Sequence, residues 1–221
     1  MARRRNSSVI CSSLAAAGLA AAGMAGFSGM SGVAHAEAID MEAFAAAPSY
    51  RVDGVHSGVV FKVRHAGVSN FRGRFNKLDG SFTFDPADLS ASSFTAEIPV
   101  ASVDTGNEKR DEHLQAADFF NARQFPVATF TGSAVTATDK AGVYSLAGDL
   151  TLHGVTKPIE AELNWIGTGS FRGKETAGFD ATFSIKRSDF GITTYLADDG
   201  GEDGGLGNTV EITIFVEGVK Q

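Results

Sequence analysis

His56, His65, His113 and His153 are the histidines that lie beyond the first 36 residues, and none has a second histidine at metal-ligand spacing. No HExxH is present. A zinc site needs three or four convergent ligands, so no metal is expected. Gly54-Val-His-Ser-Gly58 imitates a hydrolase elbow. Ser57 is fourth rather than third in that window, however, and no helix follows to present it. An esterase built on Ser57 is the enzymatic alternative. Arg110, Asp111 and His113 are close enough in sequence to mimic acid–base machinery, but a charged, solvated helix face is far the commoner reason for such a cluster. Gly167-Thr-Gly-Ser-Phe-Arg-Gly173 misses the dinucleotide spacing and has no βαβ unit around it. The acidic run Asp198–Asp203 lacks the ordered oxygen ligands of a calcium loop and reads as a solvated hairpin. These residues predict no catalytic group and no cofactor.

The aromatic residues point elsewhere. Seventeen phenylalanines stand against three tyrosines and one tryptophan, a bias towards rings without a polar handle. They fall in a period-two pattern from residue 50 onward, which predicts eight strands. Val59, Phe61 and Val63 share a phase, with Lys62 and Arg64 opposite. Phe75, Phe82 and Phe84 lie in the second strand, over about 71–84, which Asp85-Pro86 should stop. The third carries Phe94, Ala96 and Ile98; the fourth Ala128, Phe130 and Gly132. Tyr144, Leu146, Gly148, Leu150 and Leu152 are in phase in the fifth, and Ile159, Ala161, Leu163 and Trp165 in the sixth. Phe179, Ala181, Phe183 and Ile185 mark the seventh; Val210, Ile212, Ile214 and Val216 mark the last.

Strands with one apolar and one polar face alternate in this way, whereas strands buried on both faces do not. With little helix to cover a second face, the apolar sides must turn towards one another in a barrel or a sandwich. The long strands favour the barrel, because closure removes exposed edges. Small residues recur in the apolar phase, at Ala96, Ala128, Gly148, Ala161 and Ala181. An eight-stranded barrel can be filled by side chains or can hold one ligand. The small positions favour a channel lined by Phe61, Phe75, Phe82, Phe84, Phe94, Phe130, Leu150, Trp165 and Phe183; ordinary core packing is the other explanation.

Residues 107–122 break the alternation. The charged run from Asn107 has no β-branched residue and predicts a short helix. Leu114, Ala117 and Phe120 would form its apolar face. Phe119 and Phe120 are adjacent, so on a helix only one could face the barrel mouth and act as a lid.

The chain opens with Arg3–Arg5, continues with a weakly apolar run from Val9 to Phe27 and reaches Ala34-His35-Ala36. That order is the pattern of a secretory signal peptide; a membrane anchor is the alternative. Cleavage near Ala36 would remove the one cysteine, Cys11, leaving no disulfide. The Ala-rich residues 37–48 read as a disordered leader, and 49–221 as one domain. Losing Arg3–Arg5, three of 19 basic residues, and none of the 26 acids takes the formal charge from −7 to −10. Such a domain is ill suited to nucleic acid and to anionic membrane surfaces. No second run is long and apolar enough for a membrane span.

Five ordered blocks resemble the YceI-like family of bacterial lipid-binding proteins. They are Asp53-Gly-Val-His-Ser-Gly-Val-Val-Phe-Lys-Val-Arg-His65; Gly73-Arg-Phe75 with Asp79-Gly80; Asp104–Leu114 with Asp118-Phe-Phe120 and Phe125-Pro126; Gly148–Pro158; and Arg187-Ser-Asp-Phe-Gly191. The Asp198–Gly205 segment has no counterpart in that pattern. The resemblance implies an all-β, lipocalin-like barrel of eight antiparallel strands with a short helix near one end. It implies a periplasmic or secreted protein, often a homodimer, that binds a long-chain isoprenoid or related lipid without catalysis. Arg64, His65, Arg110 and His113 are placed near the mouth, where they would meet a quinone or phosphate head.

Overall fold

The computed structural model describes residues 47–221. The signal-peptide reading of 1–36 and the leader reading up to residue 46 lie outside the described residues. The elements are β1 (Ser49–Val52), β2 (Gly58–His65), β3 (Ser69–Phe75), β4 (Asp79–Thr83), β5 (Ser93–Pro99) and β6 (Val103–Asp104). They continue with α1 (Glu108–Gln115), β7 (Val127–Ala137), β8 (Val143–Leu152), β9 (Val155–Phe171), β10 (Lys174–Lys186) and β11 (Leu206–Lys220).

The eleven strands make eight staves. β1 with β2, β3 with β4, and β5 with β6 are the halves of three interrupted staves; the other five run unbroken. The order β1-β4-β5-β7-β8-β9-β10-β11 closes because β11 pairs antiparallel with β1. The same strand pairs with β2 further along, joining Ile214 to Val59 and Ile212 to Phe61. This closure is a barrel and not the alternative sandwich. The alternating residues named above point inward: Phe82, Phe94, Leu146, Leu163, Phe179 and Ile214 are all buried.

The interruptions fall side by side, at 53–57, 76–78 and 100–102, so neighbouring staves bend together. Two of the breaks are mended by a side chain. At the first, the Ser57 hydroxyl donates to the Glu217 carbonyl at 3.1 Å and accepts the Glu217 N–H at 2.9 Å. At the second, Asp104 accepts from Arg74 at 2.8 Å and from Asn76 at 3.1 Å. Hydrogen bonds from Asn76, Arg74 and the Gly106 N–H hold the Asp104 carboxyl down at about 2. Ser57 is buried, so Ser57→Ala orphans the Glu217 N–H, while the Glu217 carbonyl keeps the Asp53 N–H at 2.8 Å. The expected cost is about 2 kcal/mol, or roughly 4–8 °C in melting temperature for a domain of this size. Thermal melts check it.

One end of the barrel is plugged by rings. Phe82 stacks on Tyr50 and meets Phe179 edge-on, both at 5.0 Å; Phe84 meets Trp165 at 4.7 Å and Tyr144 at 5.1 Å. The other end is covered by α1, the turns that follow it to Phe125, and the connection 191–205. Asn107 caps α1 by accepting the Arg110 N–H at 3.0 Å. The helix stops at Gln115, sooner than the apolar spacing suggests. Ala117 and Phe120 therefore lie beyond it, and the chain reverses through Asn121 at φ 47°. Among the described residues, no helix is long and apolar enough to cross a membrane.

Candidate ligand-binding chamber

Two apolar chambers lie on the barrel axis. The mouth chamber, under α1, has a cavity volume of about 120 Å³. The distal chamber, between it and the aromatic plug, is smaller, about 40 Å³. Phe130, Phe183 and Ile214 belong to the walls of both. Phe130 comes from β7, and Phe183 and Ile214 from β10 and β11 on the opposite wall, so the three form a waist.

Phe61, Phe75, Phe119, Phe120, Phe130, Leu150 and Phe183 line the mouth chamber. Phe82, Phe94, Ala96, Ala161 and Ala181 line the distal one. Both Phe119 and Phe120 face the mouth chamber because neither is on the helix. Three expected lining residues stand elsewhere. Phe84 and Trp165 are in the aromatic plug. Gly148 lies beneath Phe130, where a Cβ would come within 2.6 Å of that ring. Its missing side chain makes room for a neighbour and not for channel space.

Lining residues beyond the expected set include Leu114, Arg187 and Ile192, and the Val and Ile residues of β2 and β11. The β-strand members share the apolar phase already noted. Arg187 also continues it, two residues beyond Ile185, and so was findable from the pattern; Ile192 sits on a loop with no such signal. Arg187 is 5% exposed and, among the described residues, is the one charged side chain in the mouth-chamber wall. Its guanidinium reaches four main-chain carbonyls: Gly207 and Leu206 at 2.8 Å, Thr194 at 2.9 Å and Ile192 at 3.0 Å. Burial pushes its pKa down, and Glu202 opposes that.

None of the four expected head-group residues lines either chamber. Arg64 is exposed and donates to the Gly67 carbonyl at 2.6 Å; His65 is exposed at the end of β2. Arg110 packs over Phe71, 4.5 Å from the ring centroid, and donates to Thr105. His113 pairs with Asp118 at 2.9 Å and lies edge-on to Phe119. These side chains build the cover of the barrel rather than its interior.

The other polar candidates also have structural partners. No histidine hydrogen-bonds Ser57 among the described residues, and its hydroxyl is held by Glu217. His153, at the β8–β9 turn with φ 53°, donates from Nδ1 to the Phe190 carbonyl at 2.9 Å. The run 167–173 spans the end of β9 and its turn into β10. Within the acidic segment, Glu202 accepts the Thr209 N–H and Asp199 the Gly201 N–H, both at 2.8 Å. Asp53, His56 and Glu217 bring three ligand-type atoms within 4.8 Å outside the barrel. Sequence spacing concealed that group, because Glu217 arrives from β11.

Asp53 and His56 form an ion pair at 2.9 Å. Its hydrogen bond, then its charge, raise the His56 pKa above the ordinary 6.5, and the same bond lowers Asp53 below 3.8. The contribution from His56 is complete below 6.5 and is lost as pH rises through the raised value. That from Asp53 is complete above 3.8 and is lost as pH falls through the lowered value. The turn is therefore clamped most firmly at mildly acidic pH. An NMR titration should show His56 titrating high, and Asp53→Asn should return it to the ordinary range. An identical midpoint in both proteins would refute the pairing.

A family model described as the YceI-like domain matches residues 50–218. Protein YceI of Salmonella arizonae is 41% identical over 180 residues, covering 80% of this chain and 90% of that protein. The crystal structure of the Campylobacter jejuni YCEI protein is similar at TM-score 0.60 and 32% identity, over 70% of this chain and 87% of that one. A polyisoprenoid binding domain from Saccharophagus degradans, implicated in plant cell wall breakdown, shares the fold at TM-score 0.56 and 18% identity. That match covers 78% of this chain and 98% of the other.

Proposed function

This chain belongs to the YceI-like domain family, and on that premise we propose that it sequesters or carries one long apolar lipid chain, of the polyisoprenoid or isoprenoid-quinone class, inside the barrel. The observation that carries the reading is the mouth chamber. It is an apolar cavity of about 120 Å³ walled by Val, Ile, Leu, Phe and Ala, with Arg187 turned into main-chain carbonyls. Such a wall offers a ligand no acid, base or nucleophile. It rewards buried hydrocarbon at roughly 0.8 kcal/mol per CH₂, so two or three five-carbon units reach about −8 kcal/mol before ordering costs, which is micromolar affinity. The Saccharophagus degradans domain of the same fold is described as polyisoprenoid binding, which supports the choice of ligand class.

The arrangement at the first stave favours carriage over ester hydrolysis. Ser57 is committed to Glu217, and its neighbour His56 to Asp53. The Arg-led, Ala-rich start supports export to the periplasm or medium. N-terminal sequencing of the protein from that fraction should begin near Glu37.

Native mass spectrometry of the purified protein is the direct test, followed by solvent extraction and identification of what is released. One long-chain lipid per barrel is the expected result. A protein that is empty as isolated and ignores added prenyl alcohols would support a ligand-free structural role. Ester turnover abolished by Ser57→Ala would support the hydrolase.

A further inference from the structure

We propose that Phe130 is a gate that sets the length of chain the barrel accepts, held open by a recess made of two facing glycines. The proposal rests on the carrier reading above and names the residue that gives it a length limit. Phe130 is buried and belongs to the walls of both chambers. Phe183 and Ile214 face it across the axis. A chain that fills the mouth chamber can extend into the distal one only between these three residues. The distal space adds about a third as much volume again.

The ring rests against the wall because the wall has been hollowed out there. Gly132 of β7 pairs directly with Gly148 of β8. A Cβ at Gly132 would lie 2.7 Å from Cζ of Phe130, and one at Gly148 would lie 2.6 Å from the same atom. Ordinary carbon–carbon contact is about 3.5–4.0 Å, so a methyl at either position must move the ring about 1 Å off the wall. Off the wall is towards Phe183 and Ile214. The two glycines are not equivalent. A methyl at Gly148 would also meet main-chain atoms, Thr131 O at 2.5 Å and Gly132 Cα at 2.7 Å. At Gly132 the nearest atom is the ring tip itself, with Ala147 O at 3.0 Å. Gly132→Ala therefore displaces the gate with the least damage to the sheet.

The test measures affinity for geraniol, farnesol and geranylgeraniol in the full chain and in Gly132→Ala and Phe130→Ala. In the unaltered protein affinity should climb with each added isoprene unit. Gly132→Ala should bind geraniol within about twofold of the parent but lose roughly tenfold or more on geranylgeraniol, since the last units forfeit their burial. Phe130→Ala should keep or steepen the climb. Should Gly132→Ala fail to fold, Phe130→Ala decides alone: a flattened climb overturns the gate, because removing the ring cannot narrow the waist. Affinities shifted by one common factor across the series in both variants also overturn it while leaving carriage intact. Binding of none of the three alcohols by the unaltered protein overturns the carrier reading, and the gate with it.

Discussion

Replacing Arg187 with methionine is expected to lower the melting temperature by roughly 8–16 °C. The reason is the number of main-chain acceptors that depend on one side chain. Carbonyls of Ile192, Thr194, Leu206 and Gly207 all accept from the guanidinium. Methionine fills a similar volume and supplies no donor. Each buried carbonyl left without a partner costs on the order of 1–3 kcal/mol. Part of that sum is returned, because a buried cation no longer has to be desolvated. A net loss of about 4 kcal/mol follows from comparable buried-charge deletions, and about 2–4 °C per kcal/mol gives the stated shift.

Lysine should recover little of this. Its ammonium is a point charge, whereas the four carbonyls are arranged around a planar fork. Burial pushes the Arg187 pKa down, but guanidinium starts so high that it stays charged at neutral pH. Hydrogen exchange gives a second readout: amides in 192–207 should lose protection first in Arg187→Met, since those residues are what the arginine fastens to the end of β10. A variant that melts with the parent would show that the four contacts are incidental.

The double substitution Phe119→Ala, Phe120→Ala should speed release of a bound prenyl chain by about tenfold to a hundredfold. Phe119 is 5% exposed, packs edge-on against His113 at 4.9 Å and lies tilted against Tyr195 at 6.1 Å. Phe120 lies 5.6 Å from Phe75 on the barrel wall. Thr194 adds a hydrogen bond from its hydroxyl to the Asp118 carbonyl at 2.6 Å. The two rings thus sit where the turn after α1 meets the 191–205 connection, above the mouth chamber. Each ring contributes about 1.5–3 kcal/mol of apolar burial, and the share made with the ligand appears mainly in the dissociation rate. Chasing a fluorescent prenyl probe with excess unlabelled alcohol measures that rate. Melts run in parallel, because removing a buried Phe also costs about 3–5 kcal/mol of stability. A folded double variant with an unchanged release rate would exclude these rings as a lid.

The barrel was legible in the sequence because its physics is local and periodic. Residues that share a phase, such as Phe179, Ala181, Phe183 and Ile185, share a face wherever the strand goes. The breaks were not legible, since 53–57, 76–78 and 100–102 carry no common signal and matter only because they become neighbours. The same holds for Asp53, His56 and Glu217, whose proximity depends on how β11 registers against the first stave. In-phase aromatics such as Phe61, Phe82 and Phe183 face the two chambers, but most of the walls are Val, Ile, Leu and Ala. Phe84, Trp165 and Gly148 were assigned to it wrongly because phase tells which side a residue faces, not how far along the axis it sits or whose ring fills the space. The charged candidates lie on the cover of the barrel. Arg64, Arg110 and His113 are satisfied by nearby partners on the cover, and those pairings come from turns whose geometry composition does not encode.

Closure through β11 has a kinetic corollary. The seam that seals the cylinder joins Val59 to Ile214 and Tyr50 to Lys220, residues at opposite extremes of the domain. Loop-closure entropy must be overcome before those pairs return any stabilisation, so folding should be slow, in the millisecond-to-second range common to non-local β topologies. Until the seam forms, the inner wall is open to water and both margins of the sheet are unpaired, the condition in which β-rich chains aggregate. A newly made chain therefore depends on being kept apart from its copies for as long as that final strand takes to find its place.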